Sequence, residues 1–373
     1  MFQTIPTTSH NQQLLDPTWS APVNISSSSG RAVNPIVIPC GLDAVHLLWE
    51  EHGRVCYAGR RDGHWSAPRS VATGQRPSAG LSADGVLHVV FSNDFAGRTN
   101  VFYINLANDV WSLPRLVSKT PGMSTFPSLA VDGDGVVHAV WADTSPGFSL
   151  IYHGWLGHSW LNEPLSNARG AAPQLTLDGA ANLLHLAFQG SSISGAQREI
   201  FHLQGRTYDW SLPETISMSP GQESLGATIA CAPDGMVHLA WQEHVGDQAH
   251  VRYASGRQGA WYPSQSVSDL AVDGREPRLA VTQERLLSLA WRTSDTIFYA
   301  RRELPSGTWL PAQALVLNPG GLDGLTLAGA AGGELHLGWS GWESSSQRAV
   351  FHSEHGPWIR PRVFVPNVLV GRR

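Results

Sequence analysis

Lysine is nearly absent from this sequence: Lys119 stands alone among 25 Lys and Arg residues. Charge of either sign is scarce, 15 % of the 373 residues, against the ~25 % usual for globular chains. The formal net charge of −5 supplies no basic field, so no nucleic-acid partner is expected. Cysteine is also rare. Cys40, Cys56 and Cys231 are odd in number and widely spaced, which excludes both a disulfide framework and a zinc site. No cofactor motif is present, and neither a metal nor a cofactor is expected. No run approaches the ~20 apolar residues of a membrane span, so direct membrane insertion is not expected. The opening string MFQTIPTTSHNQQLLDPTW lacks the basic and apolar regions of a secretory signal, which makes a cytoplasmic location the default expectation. No window carries a 3.6-residue apolar stripe, so helices are not expected.

Glycine (38), proline (24) and tryptophan (15) are plentiful, and they recur in order. WSAP begins at Trp19 and Trp65, WSLP at Trp111 and Trp210, and WIRP at Trp358, with looser copies at Trp160, Trp261 and Trp309. The gaps are 46, 46, 49, 50, 51, 48 and 49 residues. A second signature is apolar-His-apolar-x-aromatic: VHLLW ends at Trp49, LHVVF at Phe91, VHAVW at Trp141, LHLAF at Phe188, VHLAW at Trp241 and LHLGW at Trp339. LSLAW, ending at Trp291, has Ser288 in place of the histidine. A third run follows each of these with an aromatic: Tyr57, Tyr103, Tyr152, Phe201, Tyr253, Tyr299 and Phe351. A fourth precedes it and often opens with proline, as at Pro35, Pro77, Pro127, Pro173 and Pro277.

Segment 127–141, PSLAVDGDGVVHAVW, reads as two strands joined at an Asp-Gly turn. Each period therefore holds four short strands, here A to D, with D beginning at the Trp. Four strands repeated seven times at 40–50-residue spacing predict an all-β fold: a seven-bladed β-propeller of four-stranded antiparallel blades. One propeller is expected over 19–365, with tails at 1–18 and 366–373. There are eight Trp segments for seven blades. One of 19–26 and 358–365 must close the ring, and the other should form a fifth strand or cover an edge.

The unit resembles the Asp-box (BNR) repeats of the sialidase-like propeller superfamily. The family's box is degraded at the C–D turns: RRDGHW (60–65), GRQGAW (256–261) and LPSGTW (304–309) keep the Trp but not the full Asp and Gly pattern. For sialidases the resemblance implies three arginines on a substrate carboxylate, a Tyr–Glu nucleophile pair and an Asp acid/base.

What repeats in every blade serves packing, so function is expected where blades differ. The repeated histidines are too dispersed around a ring to share one ion, and the Asp132–Gly135 stretch reads as a hairpin turn rather than a calcium loop. The D–A and B–C loops share one face around the channel mouth. Candidate ligand-binding residues there are Arg76, Glu51, Asp94, Asp143, Glu243, Arg275, Arg292 and the unrepeated Trp342. Arg76, Arg275 and Arg292 could form an arginine cluster, with Asp94 or Asp143 as acid and Glu243 beside a tyrosine. No tyrosine is left over for that role, and the family's N-terminal Arg-Ile-Pro is replaced by Thr4-Ile5-Pro6. The expectation is therefore a non-catalytic recognition or assembly module that binds a protein partner or glycan. The alternative is an exo-sialidase-like hydrolase, or a polysaccharide lyase with His52 or His244 as base.

Overall fold

A computed structural model describes residues 13–14, 16, 18–28, 30–41, 43–144, 150–156, 160–191, 195, 197–269, 272–282, 286–305, 307–344 and 346–356. Every regular element among them is a β-strand, and no helix is long and apolar enough to cross a membrane. The strands form seven antiparallel sheets, the blades of a seven-bladed propeller. The A strands, Ala32–Cys40, Gln75–Leu81, Ser124–Val131, Ala171–Asp178, Glu223–Cys231, Arg275–Val281 and Leu322–Gly329, belong to blades 1 to 7 in that order. Each packs on the next, and the first packs on the last, so they form a closed inner ring.

The A strands of neighbouring blades are not joined in one ladder. Side chains bridge them instead: the Leu129 N–H donates to Ser78 Oγ at 3.1 Å and the Leu175 N–H to Ser128 Oγ at 3.0 Å. Blades bury both faces, and the B strands are accordingly continuous apolar runs. Trp49, Trp141, Trp241, Trp291 and Trp339 are fully buried there.

The N-terminal segment closes the ring. Val23–Asn24 pairs with Arg348–His355 as the outer strand of blade 7, and Trp19 is buried beside it. Gln13–Leu14 adds a fifth strand to blade 6 by pairing with Gln313–Leu317, which covers an open edge. Segment 358–365 lies outside the described residues.

The third signature combines two positions. Tyr57 stands opposite Leu48, whereas Tyr152 stands opposite Trp141. The equivalent of Tyr57 in blade 3 is His153, and in blades 4 and 7 it is His202 and His352. A shift of one residue moves a side chain to the other face of a strand. The B-strand histidine meets this position in the blade core: His46 Nδ1 lies 2.9 Å from Tyr57 Oη, and His336 Nδ1 lies 3.1 Å from His352 Nε2. In blade 6, Ser288 takes the histidine's place against Tyr299 at 3.1 Å. The C-strand ring then receives the edge of the next blade's D-strand Trp. Tyr57 meets Trp111, His202 meets Trp261, and His352 meets Trp65, with centroids 5.0–5.2 Å apart.

The Asp-Gly turns join hairpins where the sequence places them, but only the glycine of each pair is left-handed (Gly85, Gly135 and Gly235), not the aspartate as well. Asp132 Oδ1 accepts the Asp134 and Val136 N–H groups, and Oδ2 holds His138 at 3.0 Å. The turn therefore uses both carboxylate oxygens.

Candidate active site at the channel mouth

All seven A strands carry a bulge near their start. The residue there takes positive φ in every blade: Asn34, Arg76, Phe126, Ala172, Gly226, Glu276 and Gly324. Proline follows in five blades. It has no N–H to leave unpaired at a bulge. Blades 5 and 7 instead have glycine at the left-handed position, where it carries no Cβ penalty, and Ala227 and Leu325 replace the proline. The bulges surround a cavity of about 350 Å³, the channel mouth. The scaffold is thus repeated while the side chains it presents are not. Arg76, Phe126, Glu276 and Asp323 face one opening from four blades.

Side chains of one blade hold the bulge of the next. Glu50, Gln189 and Gln242 accept the backbone N–H of Arg76, Gly226 and Glu276 at 3.1, 3.1 and 3.2 Å. These polar groups following the B-strand aromatic fasten neighbouring blades together.

Of the eight residues expected to bind ligand, Arg76 lines the cavity. Its guanidinium lies over the Phe126 ring at 4.3 Å. Arg292 stands behind the lining and donates to Glu276 at 2.5 Å. Arg275 is its cross-strand partner and donates to Asp273 at 2.8 Å. The expected arginine trio is divided, with two members on blade 6 and Arg76 on blade 2. Asp143 is fully buried and accepts Thr120 Oγ1 (2.6 Å), Ser124 Oγ (2.9 Å) and the Gly122 N–H (3.1 Å). Glu243 is buried against Ser219 and Arg252. Glu51 accepts Trp49 Nε1 at 3.1 Å and bonds Ser28. Asp94 is exposed and accepts Thr99 Oγ1 at 2.7 Å. Trp342 carries Arg348 over its ring at 4.3 Å, and Arg348 in turn pairs with Asp323. Asn34, Phe126, Gln242 and Arg278 line the cavity without having been singled out in the sequence.

The tyrosines bear on sialidase chemistry. Tyr57, Tyr103 and Tyr253 are buried against histidines and Tyr299 against Ser288. Tyr152 stacks on Trp141, and Tyr208 and Tyr262 are exposed on the C–D side of their blades. Among the described residues, no tyrosine lines the channel cavity.

One histidine combines position and protonation state. His244 is the penultimate residue of the B strand of blade 5, Val237–Val245, and its Nε2 lies 3.3 Å from Nε2 of Gln242, a cavity residue. Burial lowers its pKa, and the positive charges of Arg275 and then Arg198 lower it further, against Asp273 and Glu223. The imidazole is therefore neutral at neutral pH and able to take up a proton. Arg198 and Glu223 pair at 2.5 Å on the same rim. His52, the other candidate base, is exposed on blade 1, with Nδ1 3.8 Å from Glu51.

No protein-family model and no curated protein matches the chain. Among solved structures, an ulvan lyase bound to a glucuronate–sulfated rhamnose fragment is similar over 88 % of this chain and 95 % of its own, with 11 % identity and a TM-score of 0.65. The NanB sialidase of Streptococcus pneumoniae is similar over 95 % of this chain and 70 % of its own, with 10 % identity and a TM-score of 0.53. An α-L-arabinofuranosidase of Fusarium graminearum covers 74 % of this chain and 91 % of its own, with 12 % identity and a TM-score of 0.51. The fold is that of sialidase-like propellers. These neighbours correct the expectation of a non-catalytic recognition or assembly module, because the named propellers of this shape are enzymes.

Proposed function

We propose that the chain is an enzyme acting on an acidic polysaccharide, and that it cleaves a uronate-containing chain by β-elimination at the rim between blades 5 and 6. The observation that carries this reading is the place of His244, whose Nε2 lies 3.3 Å from Nε2 of the cavity residue Gln242 and whose imidazole feels the charge of Arg275. The half-exposed Arg275 holds Asp273 at 2.8 Å, and a substrate carboxylate would take that aspartate's place. Neutralising the carboxylate stabilises the charge that develops when the neighbouring carbon loses its proton. His244 takes the C5 proton, the C5–H electrons form the C4–C5 double bond, and the C4–O bond breaks with a proton from water reaching the departing oxygen. Hydrolysis by a tyrosine nucleophile has no tyrosine among the described cavity residues to support it. The degraded Asp boxes belong to the same proposal, as a scaffold inherited from sialidase-like propellers.

The test is to incubate the protein with uronate polysaccharides, sulfated and unsulfated, and follow the ultraviolet absorbance of the unsaturated product. His244→Gln should slow product formation by about 100-fold or more. Release of saturated sugars alone would replace elimination with hydrolysis.

A further inference from the structure

On the face opposite the mouth, the B-strand histidine reaches back to its A–B turn in blades 2 and 3, where His88 Nε2 lies 3.1 Å from Ser82 Oγ and His138 meets Asp132. In blade 3 that histidine is satisfied at both ring nitrogens. His138 Nδ1 meets His153 Nε2 at 3.0 Å, and His138 Nε2 meets Asp132 Oδ2 at 3.0 Å. Blade 4 repeats the set with His185, His202 and Asp178 at the corresponding register positions. Its geometry differs. His185 Nδ1 meets His202 Nε2 at 3.1 Å, but His185 Nε2 is buried without a hydrogen-bond partner among the described residues, in a residue only 3 % exposed. Asp178 has turned to its own loop, where Oδ1 accepts the Ala180 and Ala181 N–H groups at 2.9 and 3.2 Å.

A third group enters from the next blade. Cys231, the last residue of the blade 5 A strand, is a free thiol, and one ligand atom each from Asp178, His185 and Cys231 lies within 4.8 Å of the others. The corresponding residue against blade 3 is Leu177, which offers no ligand. We propose that Asp178, His185 and Cys231 form a binding site for a zinc-class divalent ion that clips blade 4 to blade 5. A thiolate, an imidazole and a carboxylate are the donors zinc accepts, with a fourth position left to water. Bonds of about 2.0–2.3 Å bring tetrahedral ligand atoms to within ~4 Å of one another, so the ion would have to draw these atoms in from their present 4.8 Å limit. His202 already stands where a zinc-bound histidine needs its hydrogen-bond partner, on the other ring nitrogen. The second compact set, His336, His352 and Glu354, is weaker, because Arg60 already holds Glu354 at 2.6 Å. Cysteine spacing gave no hint of this site, because its ligands come from two blades and only one of them is a cysteine.

The test uses the full chain, stripped with a chelator and titrated with Zn²⁺ and Co²⁺. One equivalent should bind, Co²⁺ should give thiolate-to-metal charge-transfer absorption, and Zn²⁺ should raise the thermal midpoint. Cys231→Ser should abolish the absorption and weaken zinc binding by about 100-fold, while Cys40→Ser and Cys56→Ser keep both. A wild-type protein without the absorption, or a Cys231→Ser variant that binds zinc as tightly as wild type, would overturn the site. If Cys231→Ser does not fold, alkylation of the wild type decides. Zinc protection of Cys231 supports the site, and equal labelling with and without zinc refutes it.

Discussion

Trp19 and Tyr299 meet edge to face, their centroids 5.6 Å apart and their planes at 80°, although one precedes the first blade in the sequence and the other belongs to the sixth. The same contact joins Tyr103 to Trp160 and Tyr253 to Trp309. Trp19 therefore supplies the blade 7 member of a ring of identical joints. Replacing it with alanine should cost about 3–5 kcal/mol, the range for removing a buried large aromatic. Urea unfolding would measure this, and a change under 1 kcal/mol would mean that closure does not depend on Trp19.

The C-strand position accepts either tyrosine or histidine, because both place a polar atom within reach of the B-strand imidazole. His153→Tyr should therefore be far milder than His153→Ala. The first should cost about 1 kcal/mol or less. The second should cost about 2–4 kcal/mol, since it leaves His138 Nδ1 unpaired and opens a cavity in a fully buried site. Equal losses in thermal unfolding would refute the interchange.

Acid should unfold the propeller cooperatively. Burial lowers the pKa of His46 and His238 to about 4, and of His153 and His202 to about 3, from an ordinary 6.5. The folded chain binds these protons more weakly than the unfolded chain, so nothing is lost above pH 6.5. Below that, stability falls by about 2 kcal/mol per histidine by pH 5, roughly 8 kcal/mol for the four, within the 5–15 kcal/mol of a typical domain. The loss levels off once the pH passes below the folded-state values. Denaturant midpoints unchanged between pH 7 and pH 4.5 would contradict this.

Gly226 has room for a methyl group, since the nearest atom lies 3.6 Å from where a Cβ would stand, but its φ is +59°. Gly226→Ala should cost about 1 kcal/mol through backbone strain alone. A loss above 3 kcal/mol would mean that something besides conformation is disturbed.

At the rim, Arg275→Ala should lower kcat/KM on a uronate polymer by about 100-fold and raise KM. The His244 base should give a pH–rate profile that falls only below its lowered pKa. Unchanged kinetics in Arg275→Ala would remove it from carboxylate binding.

The scaffold was legible in the sequence because each blade faces the same packing demand. Trp49, His46 and the Asp-Gly turns recur for that reason. The slip at Tyr152 is invisible in the sequence because adjacent aromatics occupy both faces of the strand, and only the register distinguishes them. The site was harder to read, because Asp94, Asp143, Glu243 and Glu51 look alike as loop acids. All four are already committed to local bonds, as Asp143 is to Thr120, Ser124 and Gly122, and Asp94 to Thr99. The bulge residues Phe126 and Ala172 carry no chemical signature, and their importance lies in a backbone angle.

Val23–Asn24 precedes the first blade in the sequence, yet its hydrogen-bonding mate, Phe351–His352, belongs to the seventh. During synthesis this strand must wait, unpaired, until almost every other blade exists. A chain interrupted before blade 7 is thus left with an unfilled seam, and completion of the disc becomes a late, all-or-nothing event.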